Sequence, residues 1–115
     1  MLSLSPKYQG MQRVFEALAS SVRRQILAYL SQAELSAGEI AARFAMSKPS
    51  ISQHLSILEA AGLVESERRG QFIFYRQMPD SLINALHGFA LEACPTGRPL
   101  KRESAALAKR DGGDN

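Results

Sequence analysis

The sequence predicts a mainly α (α+β) fold of about five helices and one two-stranded β-hairpin. Three observations predict it. Apolar residues recur at helical spacing through most of the first 94 residues. Serines stand where several of those stretches begin, as N-caps. After Gly62 the period changes to that of extended chain, with LVESE, RRGQ and FIFYR reading as two strands around a turn at Gly70.

Met11, Val14, Phe15 and Leu18 place a first amphipathic helix at about residues 10 to 18. Ser20 caps a second, with Val22, Ile26, Leu27 and Leu30 as its apolar stripe and Arg23 and Arg24 on its polar face. The third opens with a capping box. Ser36 accepts from the amide of Glu39, Glu39 reaches back to Ser36, and Leu35 staples onto Ile40, so the helix runs to about Phe44. A fourth begins two or three residues later, capped by Ser47 with Pro49 in its first turn, and ends at Gly62, which supplies a left-handed residue. The last helix, about Asp80 to Ala93, carries Leu82, Leu86, Phe89, Ala90 and Ala93, broadened by Ile83 and Leu91. That is more apolar surface than an edge helix of so small a domain should expose, and a second subunit is its natural cover.

The chain has 115 residues, 45% of them hydrophobic, which suits one compact domain over residues 1–94. Residues 95–115 read as a flexible basic tail, with five basic residues (Arg98, Lys101, Arg102, Lys109, Arg110) against three acidic (Glu103, Asp111, Asp114). The net charge of +3 hints at a polyanionic partner without establishing one. No apolar run approaches the roughly 20 residues needed to span a bilayer, and MLSLSPKYQG lacks the core of a secretory signal, so a cytoplasmic protein is expected. One cysteine, Cys94, excludes an internal disulfide framework.

The fourth helix carries the functional signal. On a helical wheel Ile51, Leu55 and Leu58 share one side, while Pro49, Gln53 and Ser56 point the other way, flanked by Ser50 and Ser52. An ordinary solvated face carries long charged side chains; this one offers short hydrogen-bonding groups that let the backbone approach a major groove closely. There Gln53 can pair with adenine and serines can bond bases or phosphates. Lys48, near the positive end of the helix dipole, suits phosphate or guanine. Arg68 and Arg69 at the hairpin tip would follow the phosphate backbone or enter the minor groove, while Glu65 and Glu67 would repel phosphate. Residues 36 to 77 therefore read as a winged helix-turn-helix. Lys48, Ser50, Ser52 and Gln53 are expected at or near base edges, and Ser47, His54, Ser56, Arg68 and Arg69 mainly at phosphates or in the minor groove. The competing readings are a serine-diluted solvated helix and an ordinary solvated hairpin tip.

From Val14 to Met78 the chain resembles the ArsR family of bacterial winged-helix repressors, through FEALASSVRRQIL and ELSAGEIAARFAMSKPSISQHLSILEAAGLVESERRGQFIFYR. The resemblance implies a homodimer, joined through the first and last helices, that sets two recognition helices about 34 Å apart on an inverted repeat of double-stranded DNA. It also implies a repressor; with the metal-sensing motifs missing, autoregulation is one mode of use. Metal-sensing relatives carry paired cysteines in a pattern like ELCVCDL. Here ELSAGEI puts Ser36 and Gly38 at those positions. Other relatives bind zinc-type ions through a D-x-H start to the last helix, where this chain has Asp80, Ser81 and Leu82, with His87 beyond. No cofactor or metal is expected, and Cys94 has only its counterpart in a second subunit as a redox partner. The alternatives are a small-molecule or redox-responsive repressor and a winged helix that binds protein. No phosphate loop or nucleophile and base at motif spacing suggests an enzyme.

Overall fold

A computed structural model describes the backbone of residues 6–94 and side chains from Gly10 onward. The expected basic tail, 95–115, lies outside the described residues. Two compact units divide between Ile83 and Asn84.

The elements run α1 (Pro6–Leu18), α2 (Ser21–Leu30), β1 (Leu35–Ser36), α3 (Ala37–Phe44), α4 (Lys48–Ala60), β2 (Val64–Arg69), β3 (Phe72–Gln77) and α5 (Pro79–Ala93). Helix α1 starts four residues before the expected Gly10, in a stretch without the apolar periodicity that marks the rest. The cap of α2 is as expected, with Ser20 accepting from the amide of Arg23. At α1's far end, Arg23 donates to the carbonyls of Glu16 and Ala17, each at 2.8 Å, and Arg24 to that of Leu18 at 2.6 Å. These two arginines, legible in sequence only as a polar face, thus satisfy carbonyls that a helix C-terminus leaves open.

The capping box of α3 is complete, with the Ser36 amide donating to Glu39 Oε1 at 2.8 Å and the Glu39 amide to Ser36 Oγ at 3.2 Å. The Ser36 amide first, and the Ser36 hydroxyl second, hold the Glu39 carboxyl below its ordinary range. Helix α4 ends in a Schellman arrangement. The Leu63 amide bonds to the Leu58 carbonyl and the Gly62 amide to that of Glu59, with Gly62 at φ +76°.

Between α3 and α4 the chain turns through Ala45 at φ +52°, the one non-glycine residue with positive φ among those described. A Cβ there opposes the following carbonyl, which glycine avoids. Ala45→Gly is therefore expected to raise stability by about 1 kcal/mol in urea unfolding; a loss of similar size would refute the strain.

The hairpin turns at Gly70 and Gln71, with Gly70 at φ +65°, the glycine-first pattern of a two-residue turn. The wing is larger than the expected two strands. Strand β1 pairs antiparallel with β3 (Leu35 opposite Tyr75, Ser36 opposite Phe74), making a three-stranded sheet ordered β1-β3-β2. Two residues carry no period to read, so this strand is invisible in the sequence; it forms because β3 offers a free edge to the chain entering α3.

The core of the first unit draws on every helix before the wing. Val14 and Ala17 of α1, Ile26, Leu27 and Leu30 of α2, Ile40 of α3 and Ile51, Leu55 and Leu58 of α4 are buried, closed below by Leu35, Leu63 and Val64. No residue of α5 is buried within the chain. No described helix is long and apolar enough to cross a membrane.

Candidate nucleic-acid interface

Burying Ile51, Leu55 and Leu58 decides which way α4 faces. Ser52, Gln53 and Ser56 are consequently exposed on its opposite side, with Lys48 and Pro49 at its start. Lys48, Ser52, Gln53 and Ser56 make no hydrogen bond or ion pair with the described residues, so their polar groups are available to a ligand. Ser47 and Ser50 differ. Ser47 Oγ accepts from the Ser50 amide at 3.3 Å and donates to Ser50 Oγ at 3.0 Å, so both hydroxyls are engaged in the cap, although Ser50 keeps its own proton to donate.

His54 is half-buried, and its Nδ1 lies 3.1 Å from Nη1 of Arg23 on α2. Thirty-one positions separate the two, and no local pattern in the sequence signals the contact.

The strand register sorts the wing into two faces. Glu65, Glu67, Arg69, Phe72, Phe74 and Arg76 share one; Val64, Ser66, Arg68, Ile73, Tyr75 and Gln77 share the other. The second face is the core side at its base, where Val64 is buried and Gln77 donates to the Leu27 carbonyl. It is fastened to α4 by the Ser66 hydroxyl, which donates to Glu59 at 2.7 Å. Burial pushes the Tyr75 phenol above its ordinary range.

Both acidic residues that would have repelled phosphate are paired, on the face away from Arg68. Glu65 binds Arg76, and Glu67 binds Arg69 at 2.6 Å. Arg69 also reaches Glu34, in the loop before β1, at 2.7 Å and lies over the Phe74 ring at 4.9 Å. The hydrogen bond from Arg69 holds the Glu67 carboxyl below its ordinary range. The two tip arginines are thus unequal. Arg69 is bracketed by two carboxylates, whereas Arg68, exposed, spends only its Nε–H, on the Gly70 carbonyl at 3.2 Å.

The starts of α3 and α4 and the wing tip meet around a hollow of about 160 Å³ lined by Ser36, Ala37, Gly38, Lys48, Gln71, Phe72 and Ile73. The Lys48 chain lies over Gly38, where a Cβ would come 3.3 Å from Lys48 Cε. Phe72 and Ile73 are 57% and 41% exposed. In the sequence Phe72 and Ile73 are strand residues and Gln71 a turn residue, and an apolar pair beside a turn is all that marks the place.

A family model described as "Bacterial regulatory protein, arsR family" matches residues 20–66, the span from the α2 cap to the rising strand of the wing. The transcriptional repressor SdpR of Bacillus subtilis is 48% identical over 65 residues, which are 56% of this chain and 72% of SdpR. The chain belongs to the arsR family. Its fold agrees: an ArsR-like transcriptional regulator from Rhodococcus sp. RHA1 superposes with a TM-score of 0.75 at 30% identity, covering 96% of this chain and 98% of that one. A homodimeric winged helix-turn-helix DNA-binding domain from Mycobacterium bovis, described as a possible ArsR-family regulator, superposes at 0.63 and 30% identity, covering 81% of this chain and 90% of that one.

In this family member the positions of the ELCVCDL cysteines are otherwise occupied. The Ser36 hydroxyl caps α3 and Gly38 lies beneath Lys48. Among the described residues no three His, Cys, Asp or Glu side chains gather as a metal site. Cys94 is exposed, just past α5.

Proposed function

We propose that the chain is a dimeric transcriptional repressor that binds an inverted repeat in double-stranded DNA, with α4 in the major groove and the wing at the flanking backbone. One observation carries this reading: the outward side of α4 presents Lys48, Ser52, Gln53 and Ser56 with their polar groups uncommitted, beside a wing whose tip holds Arg68. Short side chains let the helix backbone approach base edges, and Gln53 offers the paired donor and acceptor that adenine requires. Ser47, Ser50 and His54 stand along the same helix as phosphate or near-base contacts, and Arg69 joins Arg68 at the tip.

Dimerisation is supported by α5, on which Ile83, Leu86, Phe89 and Leu91 are 61%, 41%, 39% and 56% exposed, and by the homodimer of the Mycobacterium bovis relative. So large an apolar face favours cover by a second subunit. The reading includes neither catalysis nor metal sensing, since Ser36 and Gly38 offer no thiolate.

Selection of bound duplexes from a random library by the purified protein, without added metal and near physiological salt, tests it. Enrichment of an inverted repeat is expected. Failure of folded protein to enrich any sequence would favour a protein-binding role.

The wing makes a separate prediction. Arg68→Ala should lower the slope of log affinity against log salt by about 2, one phosphate contact fewer in each protomer of the dimer. Arg69→Ala should lower it less, because Glu34 and Glu67 already neutralise that guanidinium. Equal losses would mean that Arg69 leaves its carboxylates for the DNA.

A further inference from the structure

We infer that Arg23 is a positioning residue of the DNA interface, fixing His54 in the Nε2–H tautomer so that α4 presents a neutral ring as a hydrogen-bond donor. The inference rests on the DNA-binding reading and refines it.

A guanidinium has no acceptor, so at 3.1 Å from Arg23 Nη1 the Nδ1 of His54 must be the acceptor. A neutral imidazole that accepts at one nitrogen carries its hydrogen on the other. The tautomer is therefore set by Arg23.

Arg23 is itself firmly held. Its Nε donates to the Ala17 carbonyl and its Nη2 to that of Glu16, both at 2.8 Å, and its amide bonds to Ser20 Oγ at 3.2 Å. The guanidinium thus binds the end of α1 and the middle of α4 at once, while the backbone amide is held in the cap of α2. Ring rotation at His54 would cost the Nη1 bond without freeing Arg23 to follow.

Nε2 is the free end. It makes no bond with a described residue, and no buried side-chain nitrogen or oxygen in the described structure lacks a partner, so Nε2–H faces solvent. It stands one residue from Gln53 on the recognition helix. A single N–H donor in that place suits a guanine or thymine oxygen, or a phosphate oxygen, and cannot accept from adenine or cytosine amines.

The test uses full-length protein labelled with 15N at histidine, at a pH where the ring is neutral, with His87 distinguished by a His54→Gln sample. Long-range proton–nitrogen spectra should show His54 with an unprotonated Nδ1 and a protonated Nε2, and Arg23→Gln should collapse this to the averaged pattern of a free imidazole. An Nδ1–H or averaged pattern in the wild type would overturn the inference, as would a wild-type pattern in Arg23→Gln. On an enriched duplex, Arg23→Gln should weaken binding of the dimer roughly 5- to 150-fold, the range for one hydrogen bond lost in each half-site, with the salt slope unchanged. A slope lower by about 2 would instead make Arg23 a phosphate contact in each protomer. Should Arg23→Gln fail to fold, His54→Phe keeps the ring and removes the donor, and the same weakening is expected; unchanged binding would overturn the role. If the wild type bound no duplex, the DNA reading would fall and the tautomer spectrum would still decide what Arg23 does to His54.

Discussion

Leu55→Ala is expected to cost about 2–5 kcal/mol of folding stability, the range for a buried leucine truncated to a methyl group. Leu55 is fully buried on the inner side of α4, with Ile51 one turn before it and Leu58 three residues after, both also fully buried. Helices α1, α2 and α3 and strand β2 all pack against α4, so the lost volume lies where several elements converge and none can collapse into it freely. A domain of this size has a total stability of only about 5–15 kcal/mol, so the variant should be substantially unfolded at moderate urea. Urea unfolding followed by circular dichroism at one fixed protein concentration measures the effect, the concentration being fixed because a dimer is stabilised by mass action. A cost below about 1 kcal/mol would mean that the inner face of α4 is not packed as described.

Gln53→Ala should leave stability nearly unchanged and remove sequence preference at one position in each half-site, worth about 1–3 kcal/mol where the carboxamide pairs with adenine. The side chain is exposed and unbonded within the chain, so no fold contact is lost. Affinities for the enriched duplex and for duplexes changed at single positions measure it. The signature is position-specific: wild type discriminates at that base pair and the variant does not, whereas loss of Arg68 weakens all duplexes alike. Equal weakening on every duplex by Gln53→Ala would make Gln53 a backbone contact and move sequence readout to its neighbours on α4.

Most of the architecture was legible because it depends on local rules. Ser20, Ser36 and Ser47 cap the helices at which they were read, since an N-cap bond spans only two or three residues. Gly62 and Gly70 have the positive φ their turns require. The buried positions of α4 follow from spacing, and with them the outward set of Ser52, Gln53 and Ser56.

Pairing across sequence distance was not legible. Strand β1 has two residues and exists through β3, about forty positions later. Arg68 and Arg69 read alike as neighbours in a basic tip, yet the pleat sends them to opposite faces and Glu34, thirty-five positions before Arg69, distinguishes them. The positive φ of Ala45 also escaped, because no glycine marks it.

By itself, the sequence determined the order of the elements, their caps, the inner and outer sides of α4 and membership of the arsR family. The first three follow from residue spacing, and family membership from similarity to known sequences; both survive without coordinates. Only the tertiary structure decided which polar groups outside the caps remain free for a ligand: Arg69 bracketed by carboxylates, His54 tied to Arg23, and Gln53 and Arg68 left open. A side chain becomes available only when no other element satisfies it, and which element lies within hydrogen-bond reach is settled by packing.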